Sequence, residues 1–291
     1  MIHTIENEYL AISVAEYGAE LQSIRDASGH EYLWQGDSTY WKDRAINLFP
    51  YVARLTNGVY SLDGELYHMD IHGLAPYQEF HLERKSETQM AFRLDSSKET
   101  YEKYPREFAF RVIYCLIEKT LRIRYEVENR DSRSMRFGLG GHPGFLVPMD
   151  VGRTFEDYAL CFADPCDPKR IEFTPQNFLS GQEKSFPLQD QLRIQLQHDL
   201  FNDGAIVLKD MAREVTLVAS VGGRAIRVSF PQMPYLGIWH KPGTDAPYVC
   251  IEPWCSLPSK QDEIAVFETQ SDLLCCEPGE TYKNTWTIEI L

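Results

Sequence analysis

Apolar and charged residues alternate with a period of two along several stretches of this chain. The alternation is clearest in residues 121–128, 225–230 and 285–290. Successive side chains of a β-strand point to opposite faces, so each stretch predicts a strand with one buried face and one face in water. Shorter runs of the same character, separated by Gly, Pro, Asn and Asp, occupy residues 8–14, 89–94, 108–117, 134–140, 204–208 and 214–220.

Helical signals are scarce by comparison. Only Ser97–Tyr104 favours a helix, and the stretch is short. A parallel α/β fold needs helices that alternate with its strands, and this chain lacks that pattern. The predicted fold class is therefore all-β, with a large antiparallel β-sandwich as the architecture.

The chain of 291 residues is long enough for two domains, yet large all-β folds of this size are often single domains. No internal repeat or low-complexity linker divides it. Residues 163–190 contain four prolines and are predicted to form a long ordered loop region, not a boundary. We therefore expect one domain over residues 1–291.

Charge and cysteine content narrow the classes of partner. The formal net charge is -14 and the basic residues are scattered, so nucleic acid is not expected as a partner. No apolar run is long enough to cross a bilayer, and residues 1–8 lack the features of a signal peptide. A cytoplasmic location with no membrane partner is the expectation. Seven cysteines without a CxxC pair favour reduced thiols over disulfides or a metal site.

Three ionisable residues stand in apolar or glycine-rich surroundings. Glu252 lies in the apolar run 248–254, His142 in residues 137–145, and His72 before Gly73. A buried carboxylate must be paired, hydrogen-bonded or shifted in pKa, and such groups gather where proton chemistry is done. Taken alone, each residue is better explained by an exposed strand end or a hydrogen-bonded core or turn position. A proline follows both His142 and Glu252, which predicts strand ends or edges with accessible side chains.

Five segments in chain order carry a family resemblance. They are FPYVARLTNG at 49–58, LDGELY at 62–67 leading to His72-Gly73, GHPGF at 141–145, IEPW at 251–254 and EPGET at 277–281. Together they resemble the motifs of the aldose 1-epimerases, or galactose mutarotases, and are closest to the LacX-like branch. The likeness covers nearly the whole chain. It implies a galactose mutarotase-like supersandwich, a sugar substrate, and no need for a cofactor or a metal.

The resemblance also implies a reaction and the residues that perform it. The α and β anomers of an aldose would interconvert by ring opening, with Glu252 as general base on the C1 hydroxyl and His142 as general acid on the ring oxygen. Arg54 and His72 would hold sugar oxygens. The substrate-binding aspartate of the family matches Asp203, although the Asn-Asp-Gly sequence there also suits a tight turn. As an acid at neutral pH, His142 is expected to need a raised pKa, which a nearby carboxylate would supply.

Other positions bear on the identity of the substrate. Trp239 offers a ring face to sugar C–H groups, with core packing as the alternative. Pro76 stands where mutarotases often have an arginine. A phosphorylated sugar would need basic side chains at the rim of the site, and Arg44, Lys241 and Arg224 are the candidates.

Four alternatives remain open at this point. His72, His142 and Glu252 could form a zinc site, although HExxH spacing is absent. A glycosidase would need a second carboxylate, and only Glu252 stands out. A sugar-binding protein without turnover, and a mutarotase acting on hexose 6-phosphates, are the remaining two. The favoured interpretation is an isomerase of the aldose 1-epimerase type acting on a hexose.

Overall fold

The computed structural model describes residues 1–291, and most of their regular secondary structure is β-strand. The all-β prediction is thereby confirmed. The strands, in chain order, are β1 Ile2–Glu6, β2 Leu10–Ala15, β3 Leu21–Asp26, β4 Ala45–Leu48, β5 Val59–Leu62, β6 Glu65–His68, β7 His81–Lys85, β8 Gln89–Asp95, β9 Phe108–Ile117, β10 Thr120–Asn129, β11 Met135–Phe137, β12 Gly140–Leu146, β13 Tyr158–Phe162, β14 Lys169–Phe173, β15 Leu179–Ser185, β16 Arg193–Gln195, β17 Ile206–Lys209, β18 Glu214–Ala219, β19 Ala225–Ser229, β20 Tyr235–Trp239, β21 Tyr248–Trp254, β22 Ala265–Val266, β23 Leu274–Cys276 and β24 Thr281–Ile290.

The one α-helix, α1, spans Lys98–Lys103, inside the stretch that predicted a short helix. Ser97 caps it, because its side chain accepts a hydrogen bond from the Thr100 amide, and the Ser97 amide in turn donates to the Thr100 hydroxyl. None of the helices in the structure has the length and apolar character that a membrane crossing requires. The remaining helical turns are 3₁₀ segments at Thr56–Gly58, Ala75–Tyr77, Phe155–Asp157 and His198–Phe201.

Two large sheets form the body of the molecule. One has nine strands in the order β16-β13-β18-β19-β24-β10-β9-β8-β7, and the other has seven in the order β15-β14-β17-β20-β21-β12-β4. Every strand pair within them is antiparallel. Side chains from both sheets join in one hydrophobic core of 66 buried residues. The predicted antiparallel sandwich is confirmed, with three small sheets added at its periphery.

The prediction of a long loop over residues 163–190 is wrong. That region contains β14 and β15, which form a hairpin at one edge of the seven-stranded sheet. All four prolines lie outside the two strands, so they do not interrupt the hydrogen-bonded ladder. Six of the seven residues of β15 are exposed. A strand that buries so little leaves no apolar periodicity in the sequence.

Strand β21 positions the centre of the seven-stranded sheet. All seven of its residues are buried, although they alternate between two faces. Val249 and Ile251 point into the core shared with the nine-stranded sheet. Cys250, Glu252 and Trp254 therefore lie on the opposite face. This second face is also covered, so Glu252 is only 2% exposed.

Close packing between the two large sheets depends on Gly141 of β12. A Cβ at this position would lie 2.6 Å from Cζ2 of Trp286 on β24 and 3.1 Å from the Tyr125 hydroxyl. Gly141→Ala is therefore expected to destabilise the fold by about 1–3 kcal/mol through overpacking, measured by urea denaturation. Adding Trp286→Phe removes the contacting part of the indole, so the double variant should lose less than the sum of the single losses. Strict additivity would show that the contact is not the cause.

Candidate functional site

His142 and Glu252 face each other across two neighbouring strands. The register of β12 and β21 pairs Gly140 with Trp254, and two residues further along each strand His142 lies opposite Glu252. The expectation that both residues occupy strand ends or edges is wrong, because both strands are interior strands of the seven-stranded sheet. The sequence therefore places an imidazole and a carboxylate side by side in the middle of a sheet.

The two prolines are tolerated there because of where their nitrogens point. Amides of an antiparallel strand alternate between its two neighbours. Gly144 donates to Arg44 on the β4 side, so Pro143 faces β21. Cys255 donates to the residue that precedes β12, so Pro253 faces β12. Both missing N–H groups thus fall in one gap between β12 and β21, where the ladder is interrupted.

The functional atoms of the pair are in contact. Nε2 of His142 lies 3.2 Å from Oε2 of Glu252, and both side chains are almost completely buried. Trp41 packs on the imidazole with ring centroids 4.8 Å apart. The pair is therefore held in an environment from which most water is excluded, on the face of the sheet that points away from the main core.

Burial shifts both pKa values toward the neutral forms. It raises the pKa of Glu252 well above its ordinary value of 4.5, and the nearby Trp254 indole lowers it by less. Burial, and then the neighbouring His72, lowers the pKa of His142 well below 6.5. The expectation of a raised pKa for His142 is therefore wrong. Desolvation of the imidazolium outweighs the attraction of the carboxylate, which itself prefers to hold a proton.

His72 is fixed by a reciprocal backbone clasp. Its amide donates to the Ala53 carbonyl at 2.9 Å, and the Ala53 amide donates to its Nδ1 at 3.2 Å. Both residues have positive φ, 67° and 58°, so the clasp holds two left-handed conformations. Burial and the charge of Arg54 lower the pKa of His72 to about 4. The ring is thus neutral at neutral pH, with its proton on Nε2, 5.4 Å from the His142 ring between centroids.

A cavity of about 410 Å³ opens above these side chains. It brings together five of the residues predicted for the site, namely Arg54, His72, His142, Trp239 and Glu252. Its volume falls in the range of small-molecule sites, and more than half of its lining residues are hydrophobic. A single small ligand therefore fits with one side against the His142–Glu252 pair.

Arg54 and Asp203 differ in their relation to this cavity. Arg54 lines it and forms no salt bridge or side-chain hydrogen bond within the protein, so its guanidinium is available to a ligand. Asp203 is exposed and does not line the cavity, although the next residue, Gly204, does. The carry-over of Asp203 has no support in this geometry. Its Asn-Asp-Gly segment forms a turn at the cavity rim, the alternative that the sequence had left open.

One group of side chains has the donor set of a metal site. Ligand atoms of His142, Cys250 and Glu252 lie within 4.8 Å of one another, and all three residues are buried. Burial, together with the Glu252 carboxyl, raises the pKa of the Cys250 thiol well above its ordinary value of 9.0. A metal ion bound there would have to displace the thiol proton, so its affinity would depend on pH.

Comparison with known proteins identifies the family. A family model described as aldose 1-epimerase matches residues 1–289. The chain belongs to the aldose 1-epimerase family. It is 32% identical to the chromosomal protein LacX of Lactococcus lactis subsp. lactis over 297 aligned residues, which cover 99% of this chain and 98% of LacX. The resemblance inferred from the five motifs, including its LacX-like branch, is confirmed.

Solved structures of related proteins have the same fold. A galactose mutarotase related enzyme from Lactobacillus acidophilus superposes with a TM-score of 0.95 at 30% identity, covering 100% of this chain and 97% of that one. A galactose mutarotase-like protein from Lactobacillus casei gives 0.93 at 31% identity and covers both chains completely. The supersandwich implied by the motifs is thereby confirmed.

Several residues that line this aldose 1-epimerase cavity were not named by the sequence reasoning, among them Trp41, Asp43 and Trp254. Trp254 lines the cavity because the alternation of β21 continues through Pro253, where the register with β20 is unbroken. Trp41 and Asp43 also line the cavity. They lie in the loop between β3 and β4, where neither periodicity nor a motif marked them. The only signal was a pair of tryptophans at positions 34 and 41 in a short polar stretch.

Proposed function

We propose that this protein interconverts the α and β anomers of a hexose by acid and base catalysis. The observation that carries the proposal is the contact between His142 and Glu252 at the base of the cavity. Anomer exchange needs one proton removed from the C1 hydroxyl and one delivered to the ring oxygen. An imidazole and a carboxylate on one side of a small-molecule cavity can do both.

The pKa shifts suggest how the proton is used. Two groups that both prefer their neutral forms hold one proton between them, on Glu252. That state suits the open-chain sugar, because Glu252 can protonate the carbonyl oxygen while His142 takes the proton from the C5 hydroxyl. The opposite state, carboxylate with imidazolium, suits the closed ring, and closure of the ring generates it. Each turnover then passes the pair through both states and returns it unchanged.

The remaining predicted residues would hold the sugar. Neutral His72 presents an N–H at Nε2, and the unpaired Arg54 guanidinium presents several. Trp239 lies 5.8 Å from both Trp41 and His142 between ring centroids, which makes an aromatic wall beside the acid–base pair. These contacts would keep most of the ring in place while C1 rotates.

The rate is expected to depend less on pH near neutrality than the rate of a pair with ordinary pKa values. Because the pKa of His142 is lowered, the pair takes up a second proton only well below pH 6.5. Because the pKa of Glu252 is raised, the pair loses its single proton only well above pH 4.5. Between about pH 5.5 and about pH 7.5 we expect kcat/KM, after subtraction of the uncatalysed rate, to fall by clearly less than that of an unperturbed pair. An unperturbed pair would lose about tenfold between these values, and such a loss would contradict the assignment.

The direct test is anomer exchange followed by NMR at equilibrium, with galactose, glucose and glucose 6-phosphate as substrates. Exchange above the uncatalysed rate supports a mutarotase, and the ratio of rates identifies the preferred sugar. Binding without exchange would instead favour a sugar-binding protein that lacks turnover. Pro76 gives little support to that alternative, because it is buried in a 3₁₀ segment and does not line the cavity.

A further inference from the structure

The cavity contains two charged side chains without partners. Arg54 is exposed and meets no acidic group, and Asp43 is half-buried and forms no salt bridge. Apart from Glu252, they are the only charged residues that line the cavity. Unpaired charges facing a small-molecule cavity are available to a ligand, and their chemistry decides which ligand is accepted.

Partial burial destabilises the charged form of Asp43, and no group in the protein fully compensates for this. Burial raises the pKa of its carboxyl above the ordinary value of 3.8, and the neighbouring Lys42 and the Trp41 side chain lower it less. A partly desolvated carboxylate is stabilised by donors that arrive with a ligand, because an oxygen acceptor without a donor is costly. Sugar hydroxyl groups are such donors, and a carboxylate accepts from two of them at once.

The cavity offers few cationic groups that could bind a phosphate. Arg54 is the only cationic side chain lining the cavity, and the two histidines nearest it are neutral at neutral pH. The three basic residues considered for phosphate lie outside the cavity and are engaged elsewhere. Arg44 donates to the Gln22 carbonyl, Lys241 to the Thr39 carbonyl, and Arg224 to Asp150.

We propose that Asp43 is a specificity-determining residue of this site, which accepts hydrogen bonds from hydroxyl groups of an uncharged aldose and repels phosphorylated sugars. The inference rests on the proposed function for its reaction, but on the charges and burial of the cavity lining for its ligand. Asp43 takes the role that the motif had pointed to at Asp203. Arg54, the opposite charge in the same cavity, supplies donors to the sugar oxygens that Asp43 does not contact.

The test compares Asp43→Asn with Asp203→Asn. Both remove one negative charge, but only the first changes the cavity lining. Asp43→Asn keeps the size of the side chain and one acceptor oxygen, so it isolates the charge. We expect it to raise KM for galactose or glucose about tenfold to a hundredfold, with kcat changed less than about threefold. Preference for the uncharged sugar over its 6-phosphate should fall about tenfold. Asp203→Asn should leave both quantities unchanged.

Ligand binding is measured separately from turnover, so that a failure of the proposed function can be distinguished from a failure of the assignment of Asp43. Tryptophan fluorescence reports ligand entry, because Trp41, Trp239 and Trp254 line the cavity. A wild-type protein that binds uncharged sugars without exchanging their anomers would overturn the proposed function, and Asp43→Asn would still be expected to weaken binding. Equal effects of the two substitutions, no change with Asp43→Asn, or tighter wild-type binding of 6-phosphates would each overturn the assignment of Asp43. Thermal melting confirms that both variants fold.

Discussion

Replacement of Glu252 by Gln is expected to slow anomer exchange by about a hundredfold to ten-thousandfold in a fully folded protein. The amide keeps the shape of the protonated carboxyl but cannot take a proton from the C1 hydroxyl or return it. Because Glu252 touches Nε2 of His142, the loss also leaves the imidazole without the group with which it shares the proton. The effect should appear in kcat more than in KM, since hydrogen-bonding capacity toward the sugar is retained.

Stability provides an independent check on the same variant. Because the pKa of Glu252 is raised in the folded protein, its contribution to the free energy of unfolding is complete below pH 4.5, its ordinary pKa. This contribution declines as the pH rises through the raised pKa. Gln does not titrate, so Glu252→Gln should equal or exceed the wild type in free energy of unfolding at neutral pH. Glu65→Gln, an exposed change outside the cavity, serves as the matched control for both measurements. A slow variant that is also unstable would point to misfolding instead of lost chemistry.

Much of the fold was predictable because sheet formation leaves a periodic signal. Strands with one buried face, such as β10 and β24, alternate strictly and were recognised. Strand β15 was not, because it is held by backbone hydrogen bonds while its side chains stay in water. Periodicity reports burial, so strands that bury nothing escape it.

The residues of the candidate site also differ in whether the sequence reveals them. Glu252, His142 and His72 were identified because ionisable residues among apolar ones and glycines are conspicuous, and Arg54 because a motif resembles that of the family. Asp43 lies in a loop, where only the path of the chain brings it to the cavity. Loops carry function without periodicity, so their contribution was not readable.

The direction of the pKa shift of His142 could not be predicted from the sequence, for a different reason. A carboxylate next to an imidazole raises its pKa in water, and from sequence alone that was the natural expectation. Three-dimensional packing reverses the sign, because the side chains of the pair are 9% and 2% exposed and a second neutral histidine lies beside them. The direction of such a shift depends on burial depth, which no spacing of residues specifies.

Replacement of His142 by Gln should lower kcat by a comparable factor, about a hundredfold to ten-thousandfold. The amide nitrogen of Gln reaches roughly the position of Nε2 and can still donate a hydrogen bond, but it cannot transfer a proton to the ring oxygen. His68→Asn on the exposed strand β6 is the control for loss of a histidine. Activity above about a third of wild type in His142→Gln would remove this residue from the proposed chemistry.

The double variant decides whether the two residues work as one unit. If a single proton moves between Glu252 and His142 in each turnover, then either substitution already stops the transfer, and the second has little left to remove. The combined loss should therefore stay within about tenfold of the larger single loss, far below the product of the two. Independent acid and base groups would instead give multiplicative losses. Such a result would retain both residues in catalysis but separate their protons, and the 3.2 Å contact between them would then serve only to orient the two side chains.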